Sequence, residues 1–157
     1  MPHIRFLAMP TAIARTYQAG GLDAYGHKPE RRISDGDSIP CRHCLCNVET
    51  GAEYLILAHR PFSNLQPYAE TGPIFLHAKE CARHPETEAT PEMFLTSQTM
   101  MVRGYSEDQR IVYGTGTVVP SDQIAETAAA ILERPGVAFV HLRSARNNCF
   151  QCRIERR

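Results

Sequence analysis

The apolar runs of this sequence are short, and their length limits what the chain can form. None exceeds five residues, as in Tyr54 to Ala58, and glycine, proline or charged residues interrupt them. A helix that crosses a bilayer needs about 20 mostly apolar residues, so we expect no membrane-spanning segment. Short apolar runs between turn residues are instead typical of β-strands.

Seven segments have the residue pattern of strands, and two have the pattern of helices. The predicted strands are residues 3–9, 54–59, 73–77, 99–105, 110–119, 137–143 and 149–155, and the predicted helices are residues 11–18 and 121–133. Residues 23–38, rich in charge and glycine, predict a loop. Many strands with few helices favour an α+β fold. We therefore predict one globular domain over residues 1–157, with a mainly antiparallel sheet of about seven strands and two helices packed on it.

The net charge of the chain bears on the kinds of partner that it could bind. Lysine and arginine number 17, as do aspartate and glutamate, so the formal net charge is zero. This balance favours neither a nucleic acid nor a membrane as partner, and it leaves a small anion or a second copy of the chain open. The first ten residues lack the pattern of a secretory signal. We expect a soluble cytoplasmic protein whose six cysteines stay reduced.

Four residues have the types and spacing of a metal site. Cys41 and Cys44 form a Cys-x2-Cys pair, which a tight turn can bring to one point. His77 and Cys81 form a His-x3-Cys pair at the end of a predicted strand. Tertiary folding would have to join these pairs, which lie far apart in sequence. If a metal is bound, we predict that these four residues hold one structural zinc ion.

Other interpretations of the thiols stay open. The cysteines could simply be buried, and alternation puts Cys152 in the core on the same face as Phe150. The segment 41–44 also has the form of a disulfide-exchange motif, although no helix follows it as that chemistry requires. A four-thiolate site that adds Cys149 and Cys152 would need the strand at 149–155 to break, because residues three apart point to opposite faces.

Arginine and histidine side chains on the predicted sheet form a second candidate site. Alternation puts His141 and Arg143 on the polar face of their strand, where arginines could hold a small anion. His141 could then act as an acid or base near neutral pH. The loop 67–73 is of the kind that lines sites. The predicted ligand-binding residues are Tyr68, Glu70, Arg103, His141, Arg143 and Arg153. A solvated sheet face is the alternative.

Three stretches together resemble a known family. They are PCRHC at residues 40–44, PYAETGPIFLH at residues 67–77 and the region from His141 to Arg156. They resemble the bacterial domain-of-unknown-function family numbered twelve hundred and three. The resemblance covers most of the chain after residue 35 and implies a small, soluble, single-domain bacterial protein with no established activity to transfer. Cys46 and Cys152 fall outside the pattern.

These observations favour a binding or structural role, with one structural zinc ion at the cysteine and histidine cluster. The alternative is a thiol- or histidine-based enzyme that acts on a small anionic substrate. It would be favoured by a pocket joining His77, Tyr68 and a thiol. It would also be favoured if His59 and His77, which each end a predicted strand, reached the same sheet margin.

Overall fold

Two antiparallel sheets carry most of the regular structure in residues 2–157, the part of the chain that this computed structural model describes. The strands are β1 (Ile4–Leu7), β2 (Glu30–Ile33), β3 (Glu53–His59), β4 (Gly72–His77), β5 (Thr99–Tyr105), β6 (Thr117–Pro120), β7 (Phe139–Ser144) and β8 (Phe150–Arg156). The helices are α1 (Thr11–Gln18), α2 (Glu92–Leu95) and α3 (Ile124–Leu132), and one 3-10 turn, Ser121–Gln123, leads into α3. The larger sheet has the order β1-β8-β7-β5-β6, and the smaller has the order β2-β3-β4.

The main core lies between the five-stranded sheet and α3. Ile124, Ala128 and Ile131 recur at helical spacing on the buried side of α3. They pack with Val140 of β7 and Ile154 of β8. Fully burying an aliphatic side chain stabilises a protein by about 1.5–3 kcal/mol, so this face holds the helix on the sheet. The prediction of a helix packed on one face of the sheet is confirmed.

The smaller sheet has a core of its own. Leu55 and Leu57 alternate along β3 with less buried residues, and they pack with Ile74 and Leu76 of β4. Helix α1 and the segment 39–48 cover this face. Cys41 is part of this second core and is fully buried.

The α+β class and the antiparallel pairing are confirmed, but the strands number eight and divide into two sheets rather than one. The additional strand, β2, lies within the predicted loop 23–38. Its four side chains are all exposed, so it lacks the apolar alternation that would reveal a strand. Its charged side chains suit the edge of a sheet, where they discourage pairing with other chains. The single turn α2 is a third helix beyond the two predicted.

The predicted strand 110–119 is wrong over its first part. The preceding turn forms, with the Ser106 N–H donating to the Arg110 carbonyl over 2.9 Å. The chain then turns again at Gly114, whose φ of +86° is a conformation that favours glycine. Of the predicted strand, Ile111 forms a single bridge to Tyr105, and only the last residues belong to a strand, β6, which pairs with β5.

A bulge between β7 and β8 changes which side chains share a face. Leu142 pairs with Cys152, but the next residue, Arg143, pairs with Phe150, so one residue of β8 is extra. The Phe150 ring therefore lies on the same side as His141, 4.7 Å away between centroids. The prediction that Phe150 shares the core face of Cys152 is wrong for this reason.

Candidate metal centre

The four residues predicted as metal ligands come together in the fold. The ligand atoms of Cys41, Cys44, His77 and Cys81 all lie within 4.8 Å of one another. Cys41 Sγ is 3.9 Å from Cys81 Sγ, and Cys44 Sγ is 3.4 Å from His77 Nδ1. A tetrahedral zinc ion, with bonds of about 2.3 Å to sulfur and 2.0–2.1 Å to nitrogen, would separate its ligand atoms by about 3.5–3.8 Å. The cluster therefore has the dimensions to hold one metal ion.

Backbone hydrogen bonds shape the turn that carries the first two ligands. The Cys41 N–H donates to the Cys46 carbonyl and the Leu45 N–H donates to the Cys41 carbonyl, each over 3.0 Å. Leu45 adopts a left-handed φ of +52°, which closes the turn. The Arg42 N–H donates to the Phe75 carbonyl on β4 over 3.1 Å. This bond sets the turn beside the end of β4, where His77 lies.

A carboxylate orients the histidine of the cluster. His77 Nε2 lies 3.0 Å from Glu49 Oε2. Since a carboxylate only accepts hydrogen bonds, Nε2 carries the proton and the Nδ1 lone pair is free to bind a metal. Metal-binding histidines commonly use this arrangement, which fixes the ring and strengthens the ligand. Burial opposes protonation of His77, but Glu49 and Cys41 outweigh it and raise the pKa of the ring.

Helix α1 and a second histidine hold the fourth ligand in place. Arg15 Nη2 donates to the Cys81 carbonyl over 2.8 Å. The fully buried His43 lies with Nδ1 3.1 Å from Cys81 Sγ, and its Nε2 is 2.9 Å from Thr11 Oγ1. A thiolate at Cys81 would accept from Nδ1, and Nε2 would then accept from the Thr11 hydroxyl. Local sequence does not reveal these roles, because only the folded chain brings α1 next to residue 81.

The thiols of the cluster do not ionise independently. Hydrogen bonds from the Cys44 and Cys81 thiols lower the pKa of Cys41 strongly. The hydrogen bond to Cys41 in turn raises the pKa of Cys44 and of Cys81. The cluster alone thus favours one thiolate, and a divalent cation would be needed to stabilise three.

A buried arginine lies next to this concentration of sulfur. Arg42 is 2 % exposed, and its guanidinium donates to the carbonyls of Phe150 and Pro40, each over 2.6 Å. Burial lowers the pKa of Arg42 to about 10, so it stays charged at neutral pH, and the thiols of Cys149 and Cys41 favour that charge. A divalent ion with three thiolates and a neutral histidine carries a net charge of −1. Arg42 would balance that charge.

The other three cysteines lie outside the cluster. Cys152 is buried in the main core, as predicted, and Cys46 is exposed. Cys149 Sγ donates to the Asn147 carbonyl. All six cysteines carry free thiols. The four-thiolate arrangement is therefore not the one that the chain adopts, and the 41–44 motif lies in a turn rather than at the start of a helix.

The residues predicted to bind an anion divide into separate groups. Strand register puts Arg103, His141 and Arg153 in one row across the sheet, as predicted. Glu70, however, already binds two of the predicted arginines. Its Oε1 accepts from Arg103 Nη2 over 2.6 Å, and its Oε2 accepts from Arg143 Nη2 over 3.0 Å. His141 and Arg153 instead line a cavity on the same face.

Tyr68 and His59 do not join the metal cluster. The Tyr68 hydroxyl accepts from the Tyr113 hydroxyl over 3.1 Å. Because β3 and β4 are antiparallel, His59 pairs with Gly72 while His77 pairs with Tyr54. The two histidines thus lie at opposite ends of the strand pair rather than at one sheet margin.

Comparison with known proteins gives one match. A family model described as a protein of unknown function, DUF1203, matches residues 38–156. The matched region contains all four residues of the cluster, whereas β1, α1 and β2 precede it. No curated protein and no solved structure matches the chain significantly. None of the helices in residues 2–157 is long and apolar enough to cross a membrane.

Proposed function

The chain belongs to the DUF1203 family, and from that premise we propose that it is a binding protein whose fold is held by one structural zinc ion. Cys41, Cys44, His77 and Cys81 would be the ligands. The observation that carries this proposal is the convergence of their ligand atoms to within 4.8 Å. They come from two sequence pairs separated by a strand, and three thiols and a histidine ring at these distances match the ligand set of a structural zinc site.

The chemistry of the ligands favours zinc. Three sulfurs and one imidazole suit a borderline-soft ion in tetrahedral geometry, whereas calcium and magnesium require oxygen ligands. Four protein ligands would fill the coordination sphere and leave no position for substrate water. A closed site of this kind is structural rather than catalytic. In the reducing cytoplasm that we propose as its compartment, the thiols would remain available to the metal.

The ion would join three segments that are otherwise linked by only a few backbone hydrogen bonds and by side-chain packing. The turn at 41–44, the end of β4 and the loop at Cys81 all belong to the second core. Cys41, Cys44 and Cys81 are among the residues of that core or packed against it. Metal binding would therefore stabilise the smaller sheet and the contact of α1 with it.

The arrangement that would favour the enzyme alternative is not present among the described residues. That arrangement is a pocket joining Tyr68, His77 and a thiol. Tyr68 contacts Tyr113 and lies against the Arg110 guanidinium instead. His77 is directed at Glu49 and Cys44. We therefore propose the structural metal and not the enzyme.

Metal analysis tests the proposal directly. Protein purified without chelator should contain one zinc ion per chain. The variant Cys44→Ser should lose it, because it removes a ligand at the partly accessible side of the cluster. The matched control is Cys46→Ser, which changes an exposed thiol two residues away that is not in the cluster.

Thermal unfolding provides a second measurement on the same proteins. A ligand present at a thousand times its dissociation constant stabilises a fold by about 4 kcal/mol. For a domain of this length, each kcal/mol shifts the melting temperature by roughly 2–4 °C, so a chelator should lower it by about 8–16 °C. Cys44→Ser should show no chelator effect. The proposal is wrong if wild type contains no metal after purification from zinc-supplemented cells, or if Cys44→Ser retains as much as Cys46→Ser.

A further inference from the structure

A cavity of about 360 Å³ lies between the two sheets, away from the metal cluster. The end of β1, the start of α1, the segment after β3 and the polar face of β7 and β8 form its walls. Most of its lining is apolar, and it includes the rings of Phe62 and Phe150. It includes no aspartate or glutamate among the described residues, but it includes Arg60, Arg83 and Arg153. The cavity therefore combines an apolar interior with positive charge.

Two buried polar atoms in the wall of this cavity have no hydrogen-bond partner within residues 2–157. They are His141 Nδ1 and Arg83 Nε. His141 is 1 % exposed, and four aromatic rings surround it at centroid distances of 4.7–5.2 Å. Buried polar atoms in native proteins almost always have partners, because leaving one unpaired costs free energy. A group that enters the cavity could supply those partners.

The charges in the wall determine what that group can be. Burial and nearby arginines keep the pKa of His141 well below its usual value, so the ring is neutral and can donate one hydrogen bond. Arg83 Nη2 donates to the Ala8 carbonyl over 2.7 Å, which fixes that side chain without neutralising it. Arg153 Nε donates to Glu155 over 2.9 Å, and that carboxylate also binds Arg5. The wall thus retains excess positive charge, whereas Arg103 and Arg143 share the carboxylate of Glu70.

We propose that this cavity binds a small organic carboxylate with an apolar, ring-containing body. The carboxylate would lie against Arg83 and Arg153 and accept a hydrogen bond from His141. The body would lie against Phe62 and Phe150. The inference goes beyond the structural metal, because none of the four cluster residues lines the cavity. It can therefore hold whether or not zinc is bound.

Binding of three simple probes tests the inference on the purified full chain. The probes are phenylacetate, its neutral analogue phenylacetamide and acetate, which lacks the ring. Calorimetry or chemical-shift titration should show saturable binding of phenylacetate to wild type. Phenylacetamide should bind at least about tenfold more weakly, since a charge-assisted hydrogen bond is worth about one order of magnitude or more in affinity. Acetate should bind more weakly still.

Variants locate the site. Arg153→Gln should weaken phenylacetate binding by about tenfold and leave phenylacetamide binding unchanged. It should fold normally, because Glu155 keeps its contact with Arg5. The matched control, Arg146→Gln, removes an exposed arginine outside the cavity and should bind like wild type. The proposal is overturned if phenylacetate does not bind wild type, if phenylacetamide binds equally well, or if Arg153→Gln and Arg146→Gln behave alike. Metal content is measured in each sample, so that an effect of zinc loss is distinguished from a direct effect on ligand binding in the cavity.

Discussion

Replacing Glu70, the single acidic residue in the loop between β3 and β4, with glutamine should destabilise the fold. Glu70 accepts a hydrogen bond from each of two arginines, and the Arg103 and Arg143 side chains are only 14 % and 6 % exposed. Arg143 has no other acidic partner in the part of the chain that the structure describes, and its remaining hydrogen bonds are to Asn148. Glu70→Gln keeps the shape of the side chain but leaves two buried positive charges without a counter-charge.

The magnitude follows from these contacts. Hydrogen bonds to charged groups contribute about 1.5–3 kcal/mol each, and removing one partner of a buried pair costs about 3–5 kcal/mol. Because Glu70 itself is 39 % exposed, water reduces this cost. We expect a loss of about 3 kcal/mol in the free energy of unfolding, which lowers the melting temperature by roughly 6–12 °C in a chain of this length.

Urea unfolding is the assay. The urea concentration at the midpoint should fall, while the slope of the unfolding free energy against urea concentration stays constant. The control is Glu107→Gln, which changes an exposed glutamate in the turn after β5. A double-mutant cycle with Arg103→Gln should give a coupling energy above about 1 kcal/mol. The prediction is wrong if the free energy of unfolding of Glu70→Gln lies within about 0.5 kcal/mol of the wild-type value, which is the range of ordinary surface substitutions.

Three further predictions concern packing, acid stability and thiol state. Gly104→Ala should destabilise the main core by about 1–3 kcal/mol in urea unfolding, because its Cβ would come within 2.9 Å of the Ile131 side chain. Gly116→Ala, whose Cβ has no neighbour closer than 3.8 Å, is its control, and equal losses would contradict the packing argument. Burial lowers the pKa of His59 to about 4. The unfolded chain therefore binds a proton at His59 that the folded chain does not. This residue alone should lower the free energy of unfolding by about 1.4 kcal/mol per pH unit as the pH falls from 6.5 toward 4. His59→Gln should show a shallower fall, and an unchanged slope would count against this origin. Denatured, unreduced protein treated with chelator should titrate six free thiols, and finding two or four would show that disulfides form.

Local patterns predict much of this fold, and the failures have physical causes. Alternation and helical spacing find most strands of both sheets and the helix α3, because most of these elements bury one regular face. The same reasoning misses β2, since an edge strand with exposed side chains is specified by its backbone pairing to β3 and not by its own sequence. It also places Phe150 on the wrong face, because a bulge depends on how two strands meet.

Local sequence predicts the candidate sites only in part as well. Residue type and spacing select Cys41, Cys44, His77 and Cys81, because Cys-x2-Cys and His-x3-Cys pairs are typical of metal ligands. Their convergence depends on the docking of the turn beside β4, which is a tertiary event. Strand alternation is enough to put Arg103, His141 and Arg153 on one face, but it does not give the partners of the arginines. The contact of Glu70 with Arg103 and Arg143 depends on the path of the loop before β4, which local sequence does not determine.

The pairing of β1 with β8 has a consequence for how fast the chain can fold. The three strands of the smaller sheet lie within residues 30–77, so their contacts are comparatively local. The larger sheet is complete only when β1 meets β8, as in the contact of Arg5 with Glu155 at a sequence separation of 150 residues. Closing a loop of that length costs about 2 kcal/mol more entropy than closing the connection between β3 and β4. Because distant contacts slow folding, we expect the smaller sheet to form first and the docking of β1 on β8 to be the late step.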